Sequence, residues 1–133
     1  MSSFTDPLEV VQVGAQWRTL RPMHYWARCA EGEAPLAERC AVCHEVPAGF
    51  ETDFASIPRL FWTLVGHPAG RYAQAAVLHD YLYRTGAVPR READRTFREA
   101  MDVLGVPAWQ RWVMWAGVRV GGWAAYNPAP EAA

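Results

Sequence analysis

Three polar side chains in the middle of the chain have the types and spacing of a hydrolytic site. His79 and Tyr83 are four residues apart in an unbroken apolar run, so on a helix they share one face, a single turn apart. Asp94 lies at the edge of a second apolar stripe, where an ionised carboxylate needs hydrogen-bond donors. The imidazole of His79 and the phenol of Tyr83 are such donors. We therefore predict that Asp94 orients His79, whose other nitrogen would take a proton from water.

Two further carboxylates are candidates for binding a divalent cation, either calcium or another. Asp80 points about 100° away from His79 around the same helix, and Asp53 follows a predicted strand. Carboxylate oxygens are hard ligands, and a bound cation would polarise a carbonyl or phosphoryl oxygen. The alternative is structural: a buried His–Asp–Tyr network would tie two helices together while Asp80 pairs with Arg84 one turn later. Spacing alone leaves both interpretations open.

Three helices are predicted in the second half of the chain, and they would position these side chains. They span residues 72–86, 90–104 and 107–123. The second helix has an apolar stripe made of Ala93, Phe97, Ala100, Met101 and Leu104. A further short helix is predicted over residues 56–65, beginning at Ser56 with Pro58 in its first turn.

The N-terminal part of the chain is predicted to form short antiparallel strands, because β-branched and aromatic residues alternate there with turn residues. The predicted strand segments are 8–13, 17–29 and 39–46. The fold class is therefore α+β, with a small antiparallel N-terminal sheet packed against three or four helices. We expect a single domain over residues 1–133, with loose tails at 1–8 and 127–133.

Composition restricts the partners and the compartment. A net charge of −1 and a pI near 6.4 lack the basic footprint of nucleic-acid binding, so we expect no such partner. Residues 1–20 show no secretion signal, and the three Cys residues are expected to be reduced thiols. The longest apolar region, residues 103–126, contains Arg111 and Arg119 and is not expected to cross a membrane. These features predict a soluble protein.

The segment Cys40-Ala-Val-Cys43-His44 has the spacing of a c-type haem attachment site. We expect no haem there, because the segment alternates like a strand and residues three apart would face opposite sides. A zinc site that adds Cys29 meets the same objection unless a turn intervenes. Half-buried strand thiols are the preferred interpretation.

The last predicted helix is rich in Trp. One of its faces is expected to belong to the core, and it comprises Trp109, Trp112, Val113, Ala116, Val120 and Trp123. Another face carries Arg111, Trp115 and Arg119, each one turn apart. Such a cationic face suits an anionic membrane surface or a protein partner, and the alternative is a solvated face with Arg stacked on Trp.

Several motifs resemble an uncharacterised family found mainly in tailed phages and prophages. The motifs are Val46-Pro-Ala-Gly-Phe50, Thr52-Asp53-Phe-Ala-Ser-Ile-Pro-Arg59, Ala75-Ala-Val-Leu-His-Asp-Tyr-Leu-Tyr83, and Arg91-Glu-Ala-Asp94 with Phe97. The resemblance covers about residues 40–125. It implies a phage-associated protein of the phage particle or the host cytoplasm, with phage tail proteins or the host envelope as partners.

The same helices are similar to the catalytic helices of phospholipase A2, especially the viral-capsid type. The shared pattern is Ala75-Ala76-x-x-His79-Asp80-x-x-Tyr83, followed by Ala93-Asp94-x-x-Phe97. The resemblance implies that His79 is the general base and Asp80 the calcium ligand. It also implies that Asp94 orients the imidazole and that Tyr83 is its hydrogen-bond partner. The leading hypothesis is a metal-assisted hydrolase of an envelope ester or amide, and the alternative is a non-enzymatic virion or tail component.

Overall fold

The computed structural model describes residues 2–52, 72–123 and 126. The chain divides into two compact units, Met1–Glu51 and Thr52–Ala133. The first unit contains antiparallel sheets and the second contains three main helices, so the predicted α+β class is confirmed. The single domain expected over residues 1–133 stays a prediction.

The N-terminal strands form two three-stranded sheets. The elements in chain order are β1 Ser3–Phe4, β2 Val10–Val13, β3 Gln16–Thr19, β4 Met23–Cys29, α1 Leu36–Arg39, β5 Cys40–Val46 and β6 Glu51–Thr52. One sheet has the order β1-β4-β5 and the other β2-β3-β6. The predicted strand segment 17–29 contains two short strands, which belong to different sheets. Pro22 precedes the second of them, because proline cannot donate a ladder hydrogen bond.

Residues 3 and 4 form a strand and not a loose tail. Ser3 is paired with Trp26, and Phe4 is paired with Tyr25 in the antiparallel register of β1 and β4. The rings of Phe4 and Tyr25 lie 4.7 Å apart. The prediction of a loose tail over residues 1–8 is therefore wrong at this strand, because a cross-strand aromatic pair holds it to the sheet.

Cys29 and Cys40 form a disulfide, so the prediction of reduced thiols is wrong for this pair. The two residues are direct partners on β4 and β5, with Cα atoms 3.9 Å apart. A hydrogen bond from the Ala30 N–H to the Arg39 carbonyl shows that they occupy a non-hydrogen-bonded pair, where side chains approach most closely. The sequence could not give this register, on which the pairing depends.

The Cys40-x-x-Cys43-His44 motif lies on β5 with the alternation that the sequence predicted. Cys40 and His44 lie on the half-buried face, whereas Cys43 lies on the exposed face. Partial burial raises the pKa of the Cys43 thiol, and the charges of Glu45 and Asp6 act in the same direction. Over residues 2–52, 72–123 and 126, no group of three or more His, Cys, Asp or Glu side chains is placed to hold a metal ion.

Loss of the Cys29–Cys40 disulfide will lower the free energy of unfolding by about 2–3 kcal/mol, because the bond restricts the unfolded chain over a sequence separation of 11 residues. Urea unfolding of a Cys29→Ser/Cys40→Ser variant measures this loss, and Cys43→Ser is the control without a disulfide to lose. Thiol titration of the denatured, unreduced protein should find one reactive thiol and find three after reduction. Three thiols before reduction would contradict the disulfide.

The second unit has three main helices at the positions predicted from the sequence. These helices are α2 Ala73–Thr85, α3 Arg90–Val103 and α4 Ala108–Gly121, and α3 packs against both α2 and α4. Gly86 ends α2 in the left-handed conformation with φ 61°, and its N–H bonds to the carbonyl of Leu82. The helix predicted over residues 56–65 and the tail predicted at 127–133 lie outside the described residues.

The apolar stripe predicted on α3 is largely confirmed, since Ala93, Phe97, Ala100 and Met101 are buried.

On α4 the predicted core face is wrong, because the buried residues are Met114, Gly117 and Val118. Of the predicted core face, Trp109, Trp112, Ala116, Val120 and Trp123 are exposed and Val113 is half-buried. Two faces of α4 are apolar, and the hydrophobic period cannot choose between them. The face with the smaller side chains is buried.

None of the helices within the described ranges combines the length and the apolar character that crossing a bilayer requires.

Candidate functional site

The structure brings His79 and Asp94 together, as the two helical faces predicted. Nε2 of His79 lies 2.7 Å from Oδ1 of Asp94, and both side chains are completely buried. Because an ionised carboxylate only accepts hydrogen bonds, Nε2 must carry the hydrogen in this pair. In this tautomer Nδ1 is the ring nitrogen that can accept a proton.

Asp94 accepts two further hydrogen bonds. The hydroxyl of Tyr83 donates to the same Oδ1, and Nη1 of Arg119 lies 2.8 Å from Oδ2. Burial acts to raise the pKa of Asp94, but the hydrogen bonds from His79, Tyr83 and Arg119 outweigh it and hold that pKa below the ordinary value of 3.8. Asp94 is therefore ionised at neutral pH, with donors on both of its oxygens.

Arg90 connects Tyr83 to the end of α4. Its Nε lies 3.2 Å from the Tyr83 hydroxyl, and its Nη2 donates to the carbonyls of Val118 at 2.8 Å and Arg119 at 2.5 Å. These carbonyls belong to the last turn of α4, where a cation is favoured by the helix dipole. Burial, followed by the effect of Asp94, raises the pKa of Tyr83 despite Arg90, so that the phenol stays a donor.

Sequence reasoning missed the roles of Arg90 and Arg119. The sequence pattern puts Arg119 on a cationic face of the last helix together with Arg111 and indicates no role for Arg90. The sequence contains one signal for an arginine at this site: a buried carboxylate such as Asp94 usually needs a cationic partner in addition to neutral donors. The signal did not identify the arginine, since that depends on how α3 packs against α4.

Aromatic rings fix the imidazole of His79 from two directions. Its ring centroid lies 4.1 Å from that of Tyr83 and 4.6 Å from that of Phe97. The backbone of Gly122 lies close to Tyr83. A Cβ added at residue 122 would lie 3.0 Å from the Tyr83 hydroxyl. The same Cβ would lie 2.5 Å from the carbonyl oxygen of Val118, so the tight contact at this end of α4 favours glycine at residue 122.

Asp80 has partners of its own. Its Oδ2 accepts a hydrogen bond of 2.5 Å from the Thr52 hydroxyl and lies 3.4 Å from Nε of Arg84. The pairing with Arg84 is the one that the structural alternative predicted. Asp53, the second predicted cation ligand, lies outside the described residues. The role of both carboxylates in cation binding stays a prediction.

Comparison with known families places the site within a recognised domain. Residues 33–118 match the model of DUF1353, which is described as a protein of unknown function. The chain belongs to the DUF1353 family. The matched region contains His79, Tyr83 and Asp94, together with all of α2 and α3. The predicted membership in an uncharacterised family is thereby confirmed.

This DUF1353 protein is 38% identical over 84 residues to the uncharacterized protein y4jT of Sinorhizobium fredii. The match covers 62% of the chain and 24% of the relative, so the chain corresponds to about a quarter of that longer protein. No solved structure matches the chain.

Proposed function

We propose that this DUF1353 protein is a phage-associated hydrolase of an ester or amide in the cell envelope, in which His79 takes a proton from the attacking water. The observation that carries the proposal is the 2.7 Å contact between Nε2 of His79 and Oδ1 of Asp94. A carboxylate on one imidazole nitrogen fixes the ring and stabilises the cation that forms when the other nitrogen accepts a proton. The similarity to the phospholipase A2 helices supports the same assignment.

The other members of the network act on Asp94 and do not need to touch the substrate. Tyr83 and Arg119 donate to Asp94, which keeps the carboxylate ionised and fixed in orientation. Arg90 in turn holds the phenol of Tyr83. We therefore propose these three as positioning residues and His79 as the catalytic base.

In the proposed reaction, Nδ1 of His79 removes a proton from water as the water oxygen attacks the carbonyl carbon. The resulting imidazolium is paired with the negative charge of Asp94. It then returns the proton to the leaving alcohol or amine as the C–O or C–N bond breaks. The products are a carboxylic acid and that alcohol or amine, and His79 is neutral again.

A divalent cation, calcium or another, is the cofactor that the resemblance to phospholipase A2 implies. When bound, such an ion polarises the carbonyl oxygen of the substrate. The described residues fit a cation poorly, because Oδ2 of Asp80 already has the Thr52 hydroxyl and the Arg84 guanidinium as partners. We derive no step of the reaction through a metal.

Replacing His79 with Asn will reduce hydrolysis at least about 100-fold, because general-base catalysis contributes a factor of that size or more. The assay follows fatty-acid release from phospholipid vesicles and fragment release from peptidoglycan, each with and without calcium. The matched control is His24→Asn. His24 also pairs with a carboxylate, with its Nδ1 2.7 Å from Oδ2 of Asp6, but it lies in the other unit and is partly exposed.

The control should keep the wild-type rate within about twofold. Circular dichroism of both variants checks that each still folds. A folded His79→Asn protein that hydrolyses the substrate at the wild-type rate would show that His79 is not the base.

A non-enzymatic part of a phage virion or tail is the second candidate function. The complete burial of the network favours it, since His79, Tyr83 and Asp94 are each 0% exposed. In this case the network ties α2, α3 and α4 together. Size-exclusion chromatography with light scattering, and co-purification with phage tail proteins, distinguish the two functions. A stable complex, together with wild-type protein that hydrolyses neither substrate, would favour the structural role.

A further inference from the structure

An apolar stripe runs along the outside of α4. It consists of Trp109, Trp112, Ala116 and Val120, which recur every three or four residues and so share one helical face, and of Trp123, which follows two residues after the end of α4. Trp109 is 58% exposed, Trp112 53% and Trp123 70%. With about 1.5 Å of rise per residue, the stripe is roughly 20 Å long. Three exposed Trp side chains in one row are typical of an interaction surface.

A basic pocket adjoins one end of this stripe. Its volume is about 280 Å³, and it is lined by Arg95, Arg98, Glu99, Asp102, Arg111 and Trp112. Three arginines and two acids give the lining a formal charge of +1, and Asp102 pairs with Arg111 at 3.3 Å. Trp112 belongs to both the stripe and the pocket. The apolar surface and the basic groups therefore form one continuous face.

One arginine of the pocket is already oriented by aromatic rings. The guanidinium carbon of Arg98 lies 4.3 Å from the ring centroid of Trp112 and 5.1 Å from that of Trp115. A guanidinium stacked in this way still presents its N–H groups in its plane, where they can bind a phosphate in bidentate fashion. The sequence predicted an Arg of the last helix stacked on Trp, whereas the stacked arginine is Arg98 of α3.

The chemistry of this face fits an anionic lipid surface. Indole rings are amphipathic and favour the headgroup region of a bilayer, and arginines nearby are attracted to anionic lipids. Arg119 of α4 binds Asp94 and Arg111 pairs with Asp102, so the arginines that would meet a lipid phosphate are Arg95 and Arg98 of α3. A second copy of the chain is the other possible occupant; a two-fold dimer through the stripe would place the two pockets at opposite ends of the interface, and the oligomeric state tests it.

We propose that the face formed by the Trp stripe of α4 and the adjoining arginine pocket docks on an anionic phospholipid bilayer. The exposed indoles enter the headgroup region, and the arginines of the pocket bind a lipid phosphate. This docking does not require hydrolysis and applies to either candidate function. A His79→Asn protein should therefore bind bilayers like the wild type, which separates this proposal from the proposed function.

Co-sedimentation with vesicles tests the docking. Wild-type protein should bind vesicles of phosphatidylglycerol mixed with phosphatidylcholine at least about tenfold more tightly than vesicles of phosphatidylcholine alone, and high salt should weaken this preference. Trp109→Ser/Trp123→Ser should lower binding to anionic vesicles about tenfold or more, since both indoles leave the bilayer. Arg95→Gln should lower it about fivefold, because one cation is lost.

Two exposed residues of the first unit provide matched controls. Leu20 is 54% exposed, and the side chain of Arg21 is 71% exposed. Leu20→Ser and Arg21→Gln should bind anionic vesicles within about twofold of wild type. Circular dichroism and gel filtration confirm that each variant is folded, and Arg95→Gln is a surface change that keeps the test valid if the Trp variant does not fold.

Equal binding to neutral and anionic vesicles would overturn the proposal, as would no binding to either. Full binding by folded Trp and Arg95 variants would also overturn it. So would a dimer of the wild-type protein that Trp109→Ser/Trp123→Ser dissociates, because the stripe would then be covered by a second copy.

Discussion

Replacing Asp94 with Ala will lower the free energy of unfolding by about 3–5 kcal/mol, the largest effect that we expect from a single polar substitution. Asp94 is completely buried, and it accepts hydrogen bonds from His79, Tyr83 and Arg119. Without the carboxylate, these donors lose their shared acceptor, and each buried donor left unpaired costs free energy. Urea unfolding at neutral pH measures the loss.

Two further variants separate the effects of burial and of charge on stability from the effect of the hydrogen bonds. Asp6→Ala removes the carboxylate of the other His–Asp pair, whose side chains are about one-third exposed, and it should cost at most about 1 kcal/mol. Asp94→Asn keeps an acceptor oxygen but loses the charge and should fall between the two alanine variants. An Asp94→Ala protein as stable as Asp6→Ala would show that the buried network contributes little.

The same carboxylate predicts how stability depends on pH. The pKa of Asp94 lies below its ordinary value of 3.8 in the folded protein, so the stabilisation is fully present above that value and is lost as pH falls through the folded-state pKa. Wild-type protein should therefore lose stability below about pH 4, and Asp94→Asn should lose less over the same range. Thermal unfolding followed by circular dichroism from pH 2 to 7 measures both slopes.

The sequence predicted the helices well because their signals are local. The ends of α2 and α3 follow from glycine and proline residues next to an apolar period, and the buried residues of α3 fall on the expected stripe. The contact between His79 and Asp94 could be predicted for the same reason. Each lies on the inward face of its helix, and a buried carboxylate requires a donor.

The sequence could not predict features that depend on how separate segments meet. The disulfide depends on the register of β4 and β5, which places Cys29 opposite Cys40. The partnership of Arg119 with Asp94 depends on which face of α4 turns towards α3. The sequence favoured the Trp face for the core, and that same error concealed both the role of Arg119 and the exposed stripe.

Replacing Phe97 with Ala will lower the free energy of unfolding by about 3–5 kcal/mol, through lost apolar burial and the cavity left beside the imidazole. Phe97 is completely buried, and its ring centroid lies 4.6 Å from that of His79. Phe97→Leu fills most of the cavity and should cost only about 1–2 kcal/mol. Unlike the loss in the Asp94 variants, the loss in Phe97→Ala should be the same at about pH 2.5 and at pH 7, because the substitution removes no titrating group. Chemical unfolding at both pH values measures this difference. A loss that grew with falling pH would show that Phe97 acts by holding the His79–Asp94 pair in place, and a constant loss shows that it acts by packing.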